Sequence, residues 1–146
     1  MDTIMLQKDE KINIITNGIN LYEITNNIID WINKINLSSG LLNISIQHTS
    51  ASLLLQENAD PTVLEDLKNY FLKLVPFNDN YLHTTEGYDD MPAHIKTSLT
   101  NTNITLSVID KKLNLGTWQG VFLFEHRTSP KDRFINLHYI GDLNNL

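Results

Sequence analysis

The stretch LLNISIQHTSASLLLQENADPT (41–62) decides how the chain folds around its polar residues. Leu42, Ile44 and Ile46 alternate with polar residues, which is typical of a β-strand with one buried face. His48 lies on the apolar side at the end of this strand. A second apolar run follows at 51–55, and it is interpreted as the same strand continued past a bend.

The end of this stretch predicts a helix. Asp60 and Pro61 mark its start, because Asp caps free backbone amides and Pro suits the first helical position. Apolar residues then recur at helical spacing until Pro76 ends the element.

Two further helices are predicted on either side of this central region. The first extends from residue 21 to residue 35, with Asn20 and Glu23 as a capping pair and residues 38–40 as its end. The second is short and has Asp90 as its cap. The face of the short helix that is expected to be buried comprises Met91, Ile95 and Leu99.

The remaining sequence has the pattern of β-strands. Residues 3–16 are interpreted as two short strands around a polar turn at 8–11, and further strands are predicted at 104–109, 113–125 and 134–140. No internal repeat or linker divides the chain, so all 146 residues (1–146) are predicted to form a single domain. The expected fold class is therefore α+β with mostly antiparallel strands.

Composition limits the classes of function. The net charge of −6 argues against a general nucleic-acid-binding surface. Because the chain has no cysteine, any metal must be held by nitrogen and oxygen ligands. No segment resembles a signal peptide or approaches the roughly 20 apolar residues that span a bilayer. We therefore expect no membrane association and a cytoplasmic location.

Three histidines, His48, His83 and His94, occur among carboxylates and amides, which is typical of a metal or acid–base site. His94 follows Asp90 by four residues, so both are predicted near the amino end of one helix, where the dipole disfavours imidazolium. Asp90 is then a cap, a partner that orients a histidine, or a ligand. The alternative for His48 is a hydrogen-bonded histidine at a strand end.

Polar residues around the bend are further candidates. Glu57 and Asn58 precede the helix capped by Asp60, so they either help to present groups to an anion or serve only as turn residues. Ser50 lies in the polar segment that precedes them. The basic residues available to an anionic ligand are Lys96, Arg127, Lys131 and Arg133.

In LGTWQGVFLFEHR (115–127), two glycines bracket Trp118 and Gln119. Glycine inside a strand pattern often marks the close approach of a ligand or of another backbone. Trp118 is expected either to stack on a planar ring or to lie in the core. This strand ends in three polar residues, Glu125, His126 and Arg127. Neighbouring residues of a strand point to opposite sides, so at most one of His126 and Arg127 faces a given pocket.

Four segments together resemble the YjbQ family, which is associated with secondary thiamine-phosphate synthase activity. They are HTSAS (48–52), ENADPT (57–62), HTTEGYDDMPAHIK (83–96) and GTWQGVFLFEHR (116–127). The resemblance implies a two-sheet β-sandwich with flanking helices, assembled as a homotrimer. It also implies a cleft, within or between subunits, that gathers His48, Glu57, Asn58, His83, Asp90, His94, Trp118, Gln119, Glu125 and His126.

The family activity would join hydroxymethyl-pyrimidine diphosphate to thiazole phosphate and release pyrophosphate. Under this hypothesis a divalent metal, zinc favoured and magnesium the alternative, is held by His48, His83 and His94. The expected catalytic residues are Glu57, Asn58, Asp90 and Glu125. The expected contacts to a small phosphorylated metabolite are Ser50, Lys96, Trp118, Gln119, His126 and Arg127.

Two hypotheses of other classes stay open. One is a metal-dependent hydrolase of a small metabolite, in which Glu57 or Glu125 takes a proton from a metal-activated water. The other is a non-catalytic trimer that binds a metabolite or a metal.

Overall fold

The computed structural model describes residues 5–143, and these form eight strands and three helices. The elements are β1 (Leu6–Asn17), β2 (Asn20–Glu23), α1 (Thr25–Ile35), β3 (Leu37–Ile46), β4 (Ala51–Glu57), α2 (Pro61–Leu74), α3 (Asp90–Leu99), β5 (Asn103–Ile109), β6 (Lys112–Leu113), β7 (Gln119–Glu125) and β8 (Pro130–Leu143). None of these three helices combines the length and the apolar character that crossing a bilayer requires.

The strands form two antiparallel sheets. A five-stranded sheet has the order β1-β8-β3-β5-β6, and a three-stranded sheet has the order β2-β7-β4. The α+β class and the two-sheet, antiparallel architecture are therefore confirmed.

The main core joins the inner faces of both sheets to α1. Ile44 of β3 and Leu137 of β8 come from the larger sheet, Leu53 of β4 and Leu123 of β7 come from the smaller one, and all four are fully buried. Alternation along each strand sends one set of side chains into this layer. Helix α1 adds Ile28, Trp31 and Ile32.

Helix α2 covers the other face of the three-stranded sheet. Its residues Leu64, Leu67 and Phe71 pack against a smaller cluster that includes Phe122 and Phe124 of β7. Strand β7 is therefore buried on both faces. The predicted apolar stripe of α2 exists, but none of its residues is fully buried, because the helix lies on the outside of the sheet.

Helix α2 begins as the sequence predicts. Asp60 is the N-cap, and its carboxylate accepts a hydrogen bond of 2.9 Å from the amide of Thr62. The bend that follows β3 does not continue the strand, however. Residues 51–57 form β4, which pairs with β7 in the other sheet, so the expectation of one continued strand was wrong.

Two predictions in the first 40 residues were also wrong. Strand β1 is continuous across residues 8–11, where a turn was expected, because it pairs with β8 along its whole length; residues 3 and 4 of that prediction lie outside the described range. Asn20 and Glu23 belong to β2 rather than to a cap. Helix α1 ends at Ile35, as predicted, but the left-handed backbone of Asn36 stops it rather than residues 38–40.

Helix α3 turns polar residues inward. Its N-cap is Asp89, so Asp90 is the first helical residue rather than the predicted cap. Met91 and Ile95 are only half-buried, and Leu99 is exposed. The buried residues are instead Asp90, Pro92, Ala93, Lys96 and Thr97.

Two neighbouring leucines of β3 test the layer arrangement. Leu42 has no exposed surface, whereas Leu41 is 51% exposed on the outer face of the same sheet. Leu42→Ala is expected to lower the free energy of unfolding by about 2–5 kcal/mol, because it leaves a cavity between the sheets. Leu41→Ala, the matched control, is expected to change it by less than about 1 kcal/mol. If urea denaturation gave the same loss of unfolding free energy for both variants, the assignment of Leu42 to the inner face would be contradicted.

Candidate metal centre

Three side chains that could ligate a metal ion meet at the start of α3. Asp90 and His94 lie one turn apart on the helix, and His83 comes from the loop between α2 and α3. Asp90 Oδ2 is 2.7 Å from His83 Nε2 and 3.0 Å from His94 Nε2. One ligand atom from each residue lies within 4.8 Å of the other two.

The orientation of His94 determines which of its nitrogens carries hydrogen. His94 Nδ1 is 2.8 Å from the backbone carbonyl oxygen of Thr49, and a carbonyl oxygen only accepts, so Nδ1–H must be the donor. In the neutral imidazole the Nε2 lone pair then points at Asp90 Oδ2. Two acceptors 3.0 Å apart repel each other unless a proton or a cation lies between them.

The donor set fits a divalent transition metal. Two imidazoles and one carboxylate form a common catalytic zinc site, whose tetrahedral ligand atoms lie about 3.3 Å apart and which leaves a fourth position open. The side chains of His83 and His94 are 40% and 32% exposed, whereas that of Asp90 is 7% exposed. The group is therefore open to solvent on its imidazole side. Magnesium fits less well, because it prefers oxygen ligands.

Arg127 holds this group in place. Its Nη1 is 2.7 Å from Asp90 Oδ1, its Nε is 3.0 Å from Asp89 Oδ2, and its Nη2 donates to the carbonyl oxygen of Glu86 at 2.9 Å. These contacts join the His83 loop and the start of α3 to the end of β7. Arg127 was predicted to contact substrate, but its guanidinium nitrogens are all engaged with the protein.

The electrostatics keep both carboxylates ionised. Burial opposes ionisation of Asp90, but the hydrogen bond from His83 and the charges of His94 and Arg127 outweigh it and hold the pKa of Asp90 below its usual value. Burial also opposes ionisation of Asp89. There the hydrogen bonds from Thr128 and Arg127 prevail, and the pKa of Asp89 is again lowered.

Glu125 lies in a fully protein-bound environment. Its side chain has no exposed surface. Oε1 accepts hydrogen bonds from Thr16 and Arg133, and Oε2 accepts from Arg133 and from the backbone amides of His126 and Arg127. The predicted catalytic role finds no geometric support, because no lone pair of Glu125 is left for a substrate.

Three more predicted substrate contacts are buried, and they are His126, Lys96 and Ser50. His126 Nε2 is 2.8 Å from Ser52 Oγ, and burial together with the charges of Lys96 and Arg133 lowers the pKa of His126 to about 3. Lys96 is 1% exposed, and its burial lowers its pKa to about 8 although the charge of Asp89 opposes this. Ser50 is also buried.

His48 stands apart from the group of His83, Asp90 and His94. Its Nε2 accepts a hydrogen bond of 2.9 Å from the amide of Phe134, and its ring stacks on the Phe134 ring. Burial first and the charge of Arg133 second lower the pKa of His48. The described contacts thus match the alternative of a hydrogen-bonded histidine, and the ligand role of His48 stays a prediction.

The remaining predicted residues lie at the opposite end of the three-stranded sheet. Glu57 pairs with Gln119, whereas Ala51 pairs with Glu125. Six residues of strand separate the two ends, a distance of about 20 Å. The remaining predicted residues are Glu57, Asn58, Trp118 and Gln119, and Trp118 is exposed. Within one chain, therefore, they do not meet the group of His83, Asp90 and His94.

Sequence reasoning missed two elements of this site. Asp89 binds Arg127 and Thr128, and the adjacent aspartates at 89 and 90 were a signal in the sequence that could have indicated this role. The carbonyl oxygen of Thr49 orients His94, and a backbone acceptor leaves no trace in the pattern of residue types.

The depressed pKa of Asp89 predicts how stability depends on pH. Its hydrogen bonds contribute fully above the pKa of an unfolded aspartate, about 3.9, and are lost as pH falls through the lower folded-state pKa. At pH 7, Asp89→Asn should lower the free energy of unfolding by about 1–3 kcal/mol. The difference from the parent protein should shrink below about pH 4 in urea titrations. Asp66→Asn, at an exposed position of α2, is the control. If the difference in unfolding free energy between Asp89→Asn and the parent protein stayed constant down to about pH 3, the hydrogen-bonding role of the ionised Asp89 would be contradicted.

Comparisons with known proteins give the family. A family model described as UPF0047 protein YjbQ-like matches residues 10–142. A UPF0047 protein of Synechocystis is 44% identical over 138 residues, covering 94% of each chain, and the UPF0047 protein YjbQ of Escherichia coli O157:H7 is 49% identical over 113 residues, covering 77% of this chain and 80% of the relative.

Solved structures agree on the fold. A conserved hypothetical protein of Thermus thermophilus superposes with a TM-score of 0.78 at 29% identity, covering 92% of this chain and 99% of that one. A YbjQ-like protein of unknown function from Sulfolobus solfataricus has a TM-score of 0.82 at 20% identity, covering 94% and 100%, and shows likeness of fold alone. The chain belongs to the UPF0047 YjbQ-like family.

Proposed function

We propose that this protein is a metal-dependent hydrolase of a small metabolite, with a divalent ion, zinc favoured, held by His83, Asp90 and His94. The observation that supports this proposal is the hydrogen bond from His94 Nδ1 to the carbonyl oxygen of Thr49. It directs Nε2 toward the carboxylate of Asp90 at 3.0 Å, and this arrangement is favourable when a proton or a metal cation lies between the two. Histidines that bind metals characteristically donate their other N–H in this way.

The chain's own residues would fix the ligands before the ion binds. Thr49 sets the ring plane of His94, and Arg127 holds one oxygen of Asp90 so that the other faces the imidazoles. When bound, zinc lowers the pKa of a coordinated water to about 7, which supplies a nucleophile at neutral pH. The exposed imidazole side of the group leaves room for that water and for a substrate.

The transferase suggested by the family resemblance has weaker support from the charges. A diphosphate leaving group needs cations that are free to meet it. Arg127 is committed to Asp89 and Asp90, Arg133 is committed to Glu125, and Lys96 is buried. Hydrolysis of a substrate with less charge makes a smaller demand on these residues.

A general base for the hydrolase would come from a neighbouring subunit. Glu125 is buried and saturated with hydrogen bonds, and Glu57 lies about 20 Å along the sheet from it. We propose a homotrimer in which Glu57, Asn58 and Trp118 of one subunit approach the metal ligands of the next. Exposed apolar residues on the outer face of the five-stranded sheet, among them Ile15 of β1 and Phe134 of β8, support an assembly.

Metal content tests the ligands. His83→Ala and His94→Ala should each weaken zinc binding by at least about 100-fold. Loss of a residue that only hydrogen-bonds to a ligand typically costs about 10–100-fold in affinity, and each of these variants loses a ligand itself. His138→Ala is the matched control, since His138 is exposed on β8 and contacts Gln7. His48→Ala tests the remaining predicted ligand, and unchanged metal content would assign His48 to its hydrogen bond with the Phe134 amide instead. Calorimetric titration and metal analysis after dialysis, with far-ultraviolet circular dichroism as a check on folding, give the result; unchanged affinity in both ligand variants would refute the site.

Activity tests the reaction class. The zinc-loaded protein should hydrolyse some member of a panel of phosphoesters and amides, with a rate that rises as pH passes through about 7. His94→Ala should abolish this rate and His138→Ala should keep it. Formation of thiamine phosphate from its two precursors, without hydrolysis of the panel, would favour the transferase instead. Thermal stabilisation by a metabolite without turnover would favour a binding protein, and the molar mass of the same sample tests the trimer.

A further inference from the structure

The loop that carries His83 contains one residue with an unusual backbone. The loop connects α2 to α3 over residues 75–89 and has no helix or strand of its own. Within these residues, all of which the structure describes, only Gly87 has a positive φ, and its value is 106°. An L-residue adopts such a backbone only with strain, whereas glycine has no β carbon and adopts it freely. The path of the chain from His83 to α3 therefore depends on Gly87.

Both peptide groups of Gly87 are fixed by contacts beside the candidate metal centre. On its amino side, the carbonyl oxygen of Glu86 accepts a hydrogen bond of 2.9 Å from Arg127 Nη2. On its carboxyl side, the carbonyl oxygen of Gly87 accepts one of 3.3 Å from the amide of Asp90. The turn at Gly87 thus directs one carbonyl to the guanidinium and the other to the first residue of α3. It fixes the point from which His83 Nε2 comes within 2.7 Å of Asp90 Oδ2.

Close packing leaves little room for a side chain at position 87. A β carbon there would lie 3.1 Å from Asp89 Oδ1 and 3.7 Å from Arg127 Nη2. The carboxylate of Asp89 is held where it is, because its Oδ2 accepts from Arg127 Nε and from both the amide and the hydroxyl of Thr128. A substitution at position 87 would therefore meet both a strained backbone and a neighbour that is fixed by three donors.

We propose that Gly87 is a positioning residue for the metal centre and that it acts through His83. This inference rests on the proposed function, because it concerns a ligand of the same ion. A side chain at position 87 is expected to shift the Glu86 carbonyl away from Arg127. The loop segment that carries His83 then moves with it.

The other two ligands do not depend on the loop in this way. Asp90 and His94 are residues of α3, and the carbonyl oxygen of Thr49 orients the His94 ring. Arg127 contacts Asp90 directly through Nη1 at 2.7 Å. A displaced loop therefore leaves a centre with two ligands in place of three, and the metal affinity should fall for that reason.

The zinc affinity of the intact protein tests this role. Gly87→Ala should weaken zinc binding by about 10–100-fold, the loss typical of a residue that orients a ligand without touching the metal. In the His83→Ala background, the same change should alter the affinity by less than about 2-fold, because the ligand through which Gly87 acts is already gone. Calorimetric titration of the four proteins gives this double-mutant cycle.

Cobalt(II) provides a readout that a general loss of stability would not reproduce. Its visible absorption depends on the number and geometry of its ligands. The cobalt spectrum of Gly87→Ala should therefore match that of His83→Ala rather than that of the parent protein. Gly18→Ala is the control for backbone strain, because its φ is 91° and its β carbon would meet only the carbonyl oxygen of Thr128, at 3.3 Å. Its zinc affinity should stay within about 2-fold of the parent value.

The possible failures are distinguishable. A parent protein that binds no zinc would remove the metal centre and this inference together. If the parent binds zinc and Gly87→Ala binds it equally well, the metal centre stands and the role of Gly87 is rejected. An equal loss in the His83→Ala background, or in Gly18→Ala, would also reject it. If circular dichroism shows that Gly87→Ala does not fold, Gly87→Asn replaces it with the same expected results, since asparagine tolerates a positive φ better than alanine does.

Discussion

The carboxylate of Asp90 is the constraint on which the candidate site depends. One oxygen accepts from Arg127, and the other faces the imidazoles of both His83 and His94. The same guanidinium also binds Asp89 and the carbonyl oxygen of Glu86. Because guanidinium donors have a fixed planar geometry, one side chain determines the relative positions of the loop, the helix and the strand end. The three candidate ligand atoms converge only when the loop, the helix and the strand end are held in these positions.

The charges at this end of the sandwich balance almost entirely within the protein. Three carboxylates, Asp89, Asp90 and Glu125, accompany the basic groups of Lys96, Arg127 and Arg133. The arginines are bound to these carboxylates, and the lysine is buried. A substrate that arrives at the imidazole side therefore meets no free basic side chain among these three. In the proposed hydrolase, polarisation of the substrate would then depend on a bound metal ion rather than on these basic side chains.

Local signals in the sequence predicted local structure, and they failed where the partner is distant along the chain. Asp60 and Pro61 mark the start of α2, because a cap acts within two or three residues. The spacing of Asp90 and His94 likewise predicted that both lie near the amino end of one helix. Nothing local distinguishes a strand that continues past a bend from one that joins the second sheet, so β4 was misassigned. The burial of Glu125 depends on Arg133 and Thr16, which come from β8 and β1, and no pattern within 113–125 indicates it.

Strand β7 explains why charged residues are buried beside the candidate site. Its residues alternate between the main core and the layer under α2, and Glu125 continues the first series while His126 continues the second. Glu125 therefore lies between the sheets and pairs with Arg133 of the other sheet. Apolar residues of similar volume would stabilise a core as well as such a buried pair does. The carboxylate of Glu125, however, also accepts from the backbone amides of His126 and Arg127. It thereby fixes the strand end from which Arg127 reaches Asp90, a positioning role that an apolar residue could not fill.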